Sequence, residues 1–243
     1  MMRTFALHHD ISRSYRSVNC RGDIGLSGER DEEHQFGVTI PWRGWTLDAD
    51  DFVTLAHNFF DHNCIGSGTC FPVTIDRARI NGWEVTLRSP RIAHRGQLHL
   101  SYSNQVAQAG GSINGGLTDF TTNICDPAPV TSFCPLDHDQ RNTLNLGGEL
   151  SLPQHAYAST NIYYGSGFTN GFPDQPYPGG HLPAHTTFDL SLGKTFTDSL
   201  SATVNLINVA NRRVELDNSQ TFGGFHWNNP REIYAEVRYR FHF

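Results

Sequence analysis

The sequence predicts an all-β fold in which antiparallel, up-and-down strands form a segment of a transmembrane β-barrel. Apolar and polar residues alternate with a period of two in about nine stretches, as in strands with one apolar face. The last stretch, residues 233–243, has the roughly 9 to 11 residues that a tilted strand needs to cross a bilayer. The connections are alternately short and long, which is typical of up-and-down barrels with short turns at one end.

The final stretch shows the alternation most clearly. Its apolar positions are Ile233, Ala235, Val237, Tyr239, Phe241 and Phe243, and the residues between them are polar or charged apart from Tyr234. In a soluble sheet, a long edge strand with six aligned apolar residues would invite aggregation. In a barrel, the apolar residues contact lipid and the polar residues face the lumen.

Composition excludes several classes of protein. Only 37% of the residues are apolar, the mean hydropathy is −0.43, and no apolar run approaches the ~18 residues of a transmembrane helix. The net charge of −6 and the scattered Lys and Arg residues argue against nucleic acid as a partner. The first ten residues lack the apolar segment of a secretion signal. A barrel needs export, so either the true N-terminus is missing or the barrel interpretation is wrong.

The strands can be placed in order along the chain. Residues 1–31 show no sustained period and are predicted to be an irregular N-terminal remnant, which precedes the barrel portion at 32–243. A bulge or register change is expected near Asp50, because Asp51 interrupts the parity of the second strand. Long loops are predicted at 57–75, 108–137, 165–183 and 208–229. The predicted strands are 32–42, 45–60, 76–89, 97–103, 142–152, 156–164, 187–192, 201–206 and 233–243.

Five cysteines lie at positions 20, 64, 70, 125 and 134. Their spacings do not match a zinc knuckle, and no paired His residues complete a zinc site. Cys64 with Cys70 and Cys125 with Cys134 flank short loop segments, so two local disulfides in an oxidising compartment are predicted. Free thiols are the alternative.

Four stretches resemble motifs of one family. They are residues 77–84 (RARINGWE), 187–193 (TFDLSLG), 204–209 (VNLINV) and 238–243 (RYRFHF). In this order they are similar to the C-terminal part of the β-barrel of TonB-dependent outer-membrane receptors, of the large-barrel type that begins with a carboxypeptidase-like regulatory domain. The likeness covers roughly residues 32–243 and implies a location in the outer membrane of a Gram-negative cell.

The resemblance also implies what the chain lacks. Such receptors have barrels of about 22 strands with a plugged lumen, so nine strands are expected to form an incomplete, open or curved sheet. We therefore expect a fragment of a longer receptor that cannot transport alone. The implied partners are outer-membrane lipid, the barrel-assembly machinery and an unknown small ligand, with TonB reached only through the absent plug. Tyr239, Phe241 and Phe243 are implied to form the C-terminal assembly signal. No cofactor is expected.

Few residues suggest catalysis or metal binding. His57, Asp61 and His62 could contact a metal or siderophore, although solvated loop residues are the simpler explanation. The Asp-His-Asp run at 137–139 has acid–base residue types, but its place beside a long loop favours hydrogen bonding at the rim. No Gly-x-Ser-x-Gly elbow and no aligned Ser and His pair occur. The sequence thus predicts no enzyme, no catalytic residue and no metal site.

Charged and aromatic residues fit a barrel wall. The predicted lumenal set contains both signs and is expected to pair across strands: Glu149, Asp189, Asn205, Glu236, Arg238 and Arg240. Two aromatic girdles are predicted: Trp42, Trp45 and Phe196 at the periplasmic strand ends, and Tyr163, Tyr164 and Phe168 at the outer ends.

The alternative to a receptor barrel is a secreted β-sheet binding module with ligand-binding loops, which would stay soluble without detergent.

Overall fold

The computed structural model describes residues 6–15, 26, 28–65, 69–114, 122–126, 128–137, 139–169, 180–218 and 225–241. Within these ranges the chain forms fourteen β-strands and no helix. A helix of the length and apolarity that a membrane crossing requires is therefore not found in the described ranges. The predicted all-β fold is confirmed.

The strands vary widely in length. In chain order they are β1 (Ala6–Tyr15), β2 (Arg30–Trp42), β3 (Trp45–Ile65), β4 (Thr69–Arg88), β5 (Gly96–Asn114), β6 (Thr122–Asn123), β7 (Cys134–Pro135), β8 (Asn142–Leu152), β9 (Ala156–Gly165), β10 (His185–Thr195), β11 (Leu200–Ile207), β12 (Glu215–Asp217), β13 (His226–Trp227) and β14 (Glu232–Tyr239).

Ten strands form one antiparallel sheet in the order β1-β2-β3-β4-β5-β8-β9-β10-β11-β14. The short β6 and β7 pair with β5 beyond the part that β8 covers, and β12 and β13 form a separate two-stranded sheet. Among the described residues, β1 and β14 lie at opposite edges and do not pair with each other. The predicted open, up-and-down sheet of about nine strands is confirmed, with β1 as a tenth.

The N-terminal region requires a correction. Residues 1–31 were expected to be irregular, but β1 pairs with β2 over ten positions, from Ala6 opposite Thr39 to Tyr15 opposite Arg30. The β1 sequence has no sustained apolar parity. The backbone of β1 forms its hydrogen bonds with the edge of β2. The alternation of residues within β1 alone cannot reveal such a partner.

Two further expectations about β3 to β5 are wrong. No register change occurs near Asp50, because β2 and β3 pair without interruption along the whole hairpin. β3, β4 and β5 have 21, 20 and 19 residues, so β3 and β4 run through most of 57–75 and β5 covers 108–114 of 108–137, where loops were expected. In these outer parts the alternation is inverted, since Ala56 and Ala78 lie on one face and Arg77 and Arg79 on the other. The period therefore breaks although the strand continues.

One face of the main sheet is apolar. A row of directly paired residues crosses seven strands on this face: Ile40, Leu47, Leu87, Leu100, Leu146, Ile162 and Phe188. A second row joins Leu192, Val204 and Ala235. Large side chains here are exposed, including Leu192 at 46% and Val237 at 71%. We call this surface the apolar face, and the opposite surface the polar face.

The two ends of the sheet differ. The turns at 43–44, 89–95, 153–155 and 196–199 form the short-turn end. Arg43 and Gly44 both have positive φ (50° and 84°) between the paired Trp42 and Trp45, as in the two-residue hairpins whose twist matches that of the strands. The other connections form the long-loop end.

The buried apolar core is small and lies at the long-loop end. It consists of Ala56, Ile75, Ala78, Ala109 and Leu136, with Phe59, Ala107, Ile113 and Ile124 packed beside it. The exposed apolar face takes no part in it. A soluble protein of this size would bury such a surface, so an apolar area this large marks a contact with another molecule or a membrane.

Candidate functional site on the polar face

The polar face is concave. A cavity of about 630 Å³ is lined by residues of seven neighbouring strands, including Arg88, His99, Glu149, Asn161, Asp189 and Tyr234. These strands, β4, β5, β8, β9, β10, β11 and β14, are consecutive in the sheet. A single cavity can reach all of them only because the sheet curves toward its polar side. The arrangement provides a polar trough with charges of both signs.

Hydrogen bonds between neighbouring strands stabilise the trough. The Ser191 hydroxyl donates to the Asn205 Oδ1 at 2.6 Å. The Tyr157 hydroxyl and the Thr203 Oγ1 are 3.0 Å apart across the intervening β10. Tyr157 crosses β10 at Gly193, where a Cβ atom would lie 2.3 Å from the Tyr157 ring. A side chain at position 193 would therefore displace the Tyr157 ring from this position.

The predicted lumenal charges lie where expected, but they pair differently. Glu149, Asp189 and Asn205 line the cavity. The Arg238 Nη2 lies 2.9 Å from the Glu236 Oε1, so these two residues pair within β14 and not across strands. Sequence reasoning missed an ion pair that joins two strands, between Arg88 and Asp48 with Nη1 and Oδ2 3.6 Å apart.

Two of the sequence motifs meet at the outer end of this trough. The Asp189 Oδ1 accepts a hydrogen bond of 2.8 Å from the Asn208 backbone N–H. The buried Asn208 side chain donates to the carbonyls of Arg212 at 2.9 Å and Asn229 at 3.1 Å, and its Oδ1 accepts from the Arg212 N–H at 2.8 Å. Asn208 therefore fixes the start of the last long loop to β10 and to the far end of the same loop, just before β14.

The loop between β5 and β8 covers the polar face at the long-loop end. The structure joins Cys125 and Cys134 by a disulfide, with 5.6 Å between the Cα atoms. The Leu136 N–H donates to the Ala107 carbonyl at 3.0 Å, and Leu136 packs in the small core. Cys64 and Cys70 lie directly opposite each other in the β3–β4 register, and their side chains lie outside the described residues.

The same loop also reaches the opposite face. The Phe133 ring contacts two guanidinium groups, with the Cζ atoms of Arg77 and Arg79 each 5.0 Å from its centre. The Arg77 Nη2 donates to the Val130 carbonyl at 2.8 Å, and the Arg79 Nη2 donates to the Gln108 Oε1 at 2.7 Å. The two arginines of the RARINGWE stretch thus hold the disulfide loop in place.

Asp139 has a structural position. Its Oδ1 accepts a hydrogen bond of 3.0 Å from the Ala107 N–H, and the side chain is buried. Burial raises the pKa of the Asp139 carboxyl above its ordinary value, although the hydrogen bond and the charges of Arg141 and His181 act in the opposite direction. The expected hydrogen-bonding role for 137–139 agrees with this contact at Asp139. His138 lies outside the described residues.

The predicted outer girdle is only partly correct. Tyr164 lies on the apolar face and is 36% exposed. Tyr163 lies on the polar face, where its hydroxyl accepts a 2.6 Å hydrogen bond from Gln140, and Phe168 stacks on His185. The prediction placed the Tyr163 and Phe168 rings on the apolar face because it considered only how near each residue lies to a strand end. It missed Gln140 and His185, which are isolated polar residues beside loops and have no distinguishing pattern.

The predicted aromatic residues at the short-turn end lie on the apolar face. Trp42 and Phe196 are 49% and 56% exposed, and Trp45 lies opposite Trp42. No group of three or more His, Cys, Asp or Glu residues in the described ranges could hold a metal ion. His57 lies on the outward side of β3, directly opposite Arg77, while the side chain of His62 is among those not described.

These features define a class of protein. An antiparallel sheet with an exposed apolar face, a concave polar face and loops that cover only one end is the wall of a membrane β-barrel. The family model for the TonB-dependent receptor-like β-barrel matches residues 32–209. The chain belongs to this family of TonB-dependent receptor barrels, whose members are proteins of the Gram-negative outer membrane.

Solved structures show the same fold. The ferric-catecholate import receptor Fiu of E. coli K12 has a TM-score of 0.65 at 14% identity, with 98% of this chain and 33% of Fiu covered. The copper transporter OprC has a TM-score of 0.68 at 11% identity, with 98% of this chain and 37% of OprC covered. The iron transporter FrpB of Neisseria meningitidis has a TM-score of 0.68 at 11% identity, with 98% of this chain and 36% of FrpB covered. The chain spans about a third of the length of these proteins, and no curated protein matches it.

Proposed function

We propose that this chain forms part of the wall of a TonB-dependent receptor barrel, with its apolar face against outer-membrane lipid and its polar face toward the lumen. The observation that carries the proposal is the row of seven paired apolar residues from Ile40 to Phe188, opposite a polar trough of about 630 Å³. Apolar groups avoid water and lumenal polar groups need it, so the two faces require different solvents.

In the complete receptor, this wall takes part in the import of a small ligand, driven from the inner membrane through TonB. The family assignment supports this role, and the named neighbours are a ferric-catecholate import receptor, a copper transporter and an iron transporter. TonB would act on a plug domain and not on the barrel residues that the family model matches. The open sheet alone would not transport, because a lumen needs a closed wall.

The last strand is proposed to carry the signal for barrel assembly. Tyr239 and Phe241 are 57% and 72% exposed, and their rings meet edge to face with centres 4.8 Å apart. Phe243 lies outside the described residues. An exposed aromatic edge at β14, next to hydrogen-bonding groups that have no further strand in the described sheet, is a suitable surface for the assembly machinery to bind.

The cysteines are proposed to be oxidised. The Cys125 and Cys134 disulfide closes a loop of the long-loop end, and Cys64 and Cys70 are in register for a second disulfide across a hairpin. Barrels of this family expose their long loops outside the cell, where disulfides persist.

The test compares two neighbouring positions on opposite faces. Cys20, Cys64 and Cys70 are replaced by Ser, and either Leu192→Cys or Ser191→Cys is added and labelled with a small fluorophore. In outer-membrane vesicles that contain spin-labelled lipid, we expect strong quenching at position 192 and little at position 191. The two sites share the same depth, so only the direction of the side chain differs. Equal quenching at both sites, or the reverse pattern, would contradict the proposal.

Import is tested in cells that carry or lack the gene. Radioactive iron bound to a catecholate chelator and radioactive copper serve as the two probes. Loss of accumulation of either probe on deletion of the gene, with the same loss on removal of TonB, supports the proposed function. Unchanged accumulation of both would exclude import of these two cargo classes.

A further inference from the structure

The short-turn end carries more positive than negative charge, although the whole chain has a net charge of −6. Arg88, next to the turn at 89–95, pairs with Asp48, and four further cations lie in or beside the turns: Arg43, Arg91, Arg95 and Lys194. Asp198 is the one carboxylate in the same turns, so four positive charges and one negative charge leave a local excess of three. We call these four cations the basic rim.

The basic rim is not used for internal ion pairs. Among the described residues, ion pairs join His34 to Glu32, Arg88 to Asp48 and Arg238 to Glu236, and none of them involves the four cations. Arg43, Arg91 and Arg95 are exposed, and Lys194 is half-buried. An anion from outside the chain can therefore reach them.

Two of the cations lie beside exposed aromatic rings. The Arg43 Cζ is 5.4 Å from the centre of the Trp42 ring, and the Lys194 Nζ is 5.7 Å from the centre of the Phe196 ring. Trp and Phe at this level fit the boundary between hydrocarbon and headgroups. A cation beside such a ring sits where the apolar surface ends and the phosphates begin.

The position of Lys194 also fits the boundary between hydrocarbon and headgroups. Lys194 follows Leu192 on the apolar face, and Ala156 and Ala202 lie opposite it in the two neighbouring strands. Its Nζ donates to the Gln154 Oε1 at 3.2 Å, in the turn that follows β8. The long side chain thus covers apolar surface with its stem and places its charge at the end of the sheet, as snorkelling lysines do.

We propose that the basic rim binds the phosphate groups of anionic phospholipids, such as phosphatidylglycerol, in the leaflet that faces the periplasm. The inference rests on the proposed function, since it needs the apolar face to lie in lipid and the short turns to face the periplasm. The rim has cations at three of the four short-turn hairpins, and Lys194 reaches Gln154 in the fourth, so several lipids can bind side by side. Cations near a membrane surface attract anionic lipid, and each one acts within a Debye length.

The experiment measures lipid preference directly. The protein is reconstituted in phosphatidylcholine vesicles, and the fraction of motionally restricted lipid is measured by electron spin resonance with spin-labelled phosphatidylglycerol or phosphatidylcholine. We expect phosphatidylglycerol to associate about fivefold more strongly at low salt. The preference should fall as ionic strength rises from about 0.01 M to about 1 M, because the Debye length shrinks from about 30 Å to about 3 Å.

Matched variants separate charge from side-chain shape. Replacing all four cations by Gln should remove the preference for phosphatidylglycerol. The variant that carries Arg43→Lys, Arg91→Lys and Arg95→Lys keeps every charge and should retain the preference. If the Gln variant fails to fold, the lysine variant and the salt series on the unmodified protein still test the proposal.

Each remaining outcome is decisive. Incorporation into vesicles without a preference for phosphatidylglycerol would overturn the lipid site and leave the barrel wall intact. Failure to incorporate into any vesicle would overturn the proposed function itself. If inorganic phosphate abolishes the preference while chloride of equal ionic strength does not, the rim binds free phosphate and the lipid assignment is wrong.

Discussion

Replacing Ile162 by Arg places a charge on the apolar face of β9. Ile162 lies directly between Leu146 and Phe188, and its side chain is 36% exposed. If this face contacts lipid, the guanidinium must either enter hydrocarbon or bend toward a headgroup. The neighbouring Asn161→Arg is the matched control, because Asn161 lines the polar cavity beside Asp189.

The free-energy cost of Ile162→Arg follows from the depth of position 162 in the membrane. Ile162 lies six positions after Ala156, the first residue of β9 at the short-turn end. With a rise of about 3.3 Å per residue and a tilt of about 40°, it lies about 15 Å from that end, close to the middle of an apolar band about 25 Å tall. Arg near the midplane costs about 3 kcal/mol, which is about a 100-fold change in the folding equilibrium. Asn161→Arg should change stability by less than about 0.5 kcal/mol.

The assay is urea-induced unfolding from phosphatidylcholine vesicles, followed by tryptophan fluorescence for the unmodified protein and both variants. The informative quantity is the difference in unfolding free energy between the two Arg variants, since both add the same side chain. If the two variants lose equal stability, or if Ile162→Arg is neutral, the two faces do not meet different solvents and the membrane assignment of this sheet fails.

Three further predictions concern the long-loop end. Replacing both Cys125 and Cys134 by Ser should destabilise the loop by about 3 kcal/mol, because the disulfide closes a loop of about ten residues, and amide hydrogen exchange should become faster there. Asn208→Ala removes three hydrogen bonds of a buried side chain and should cost about 3 kcal/mol, measured as faster exchange at the Arg212 amide, and Asn208→Asp should not restore the loop, because its carboxylate oxygens cannot donate to the Arg212 and Asn229 carbonyls. The raised pKa of Asp139 means that the folded state favours the protonated carboxyl, so its stabilising contribution is present below about pH 3.8 and is lost as pH rises through the raised pKa. The protection factors of the loop amides, which correct for the faster intrinsic exchange at higher pH, should therefore be lower at pH 7 than at pH 4, and Asp139→Asn should remove this difference.

Sequence reasoning was most successful where one face of a strand is apolar and the other is polar. Nine strands of the main sheet were located from alternation alone, because residues such as Leu98 and Leu100 must all point the same way. The fold class, the short turns and the family motifs followed from the same pattern. The expected polar lining at Glu149 and Asp189 also follows from it, since the residues between lipid-facing positions must face the other side.

The outer parts of β3, β4 and β5 could not be predicted in this way. There Ala78 faces the small core while Arg77 and Arg79 point outward, so the alternation is reversed relative to the same strand lower down. Because the prediction required apolar residues at every second position without a break, it placed the end of the strand where this reversal occurs. Here the disulfide loop packs Leu136 against the inward side and Phe133 against the arginines of the outward side.

The sequence by itself determined that these strands have one apolar and one polar side, because the pleat forces alternate residues to opposite faces and the two faces meet different surroundings. Tertiary structure alone decided which residues meet across the sheet. The hydrogen bond from Asn208 to Asp189, the contact of Phe133 with two arginines, and the pairing of β1 with β2 join residues from 19 to 56 positions apart or depend on a free strand edge. Such contacts arise from the curvature of the sheet and from how its loops fold back, neither of which leaves a local period in the chain.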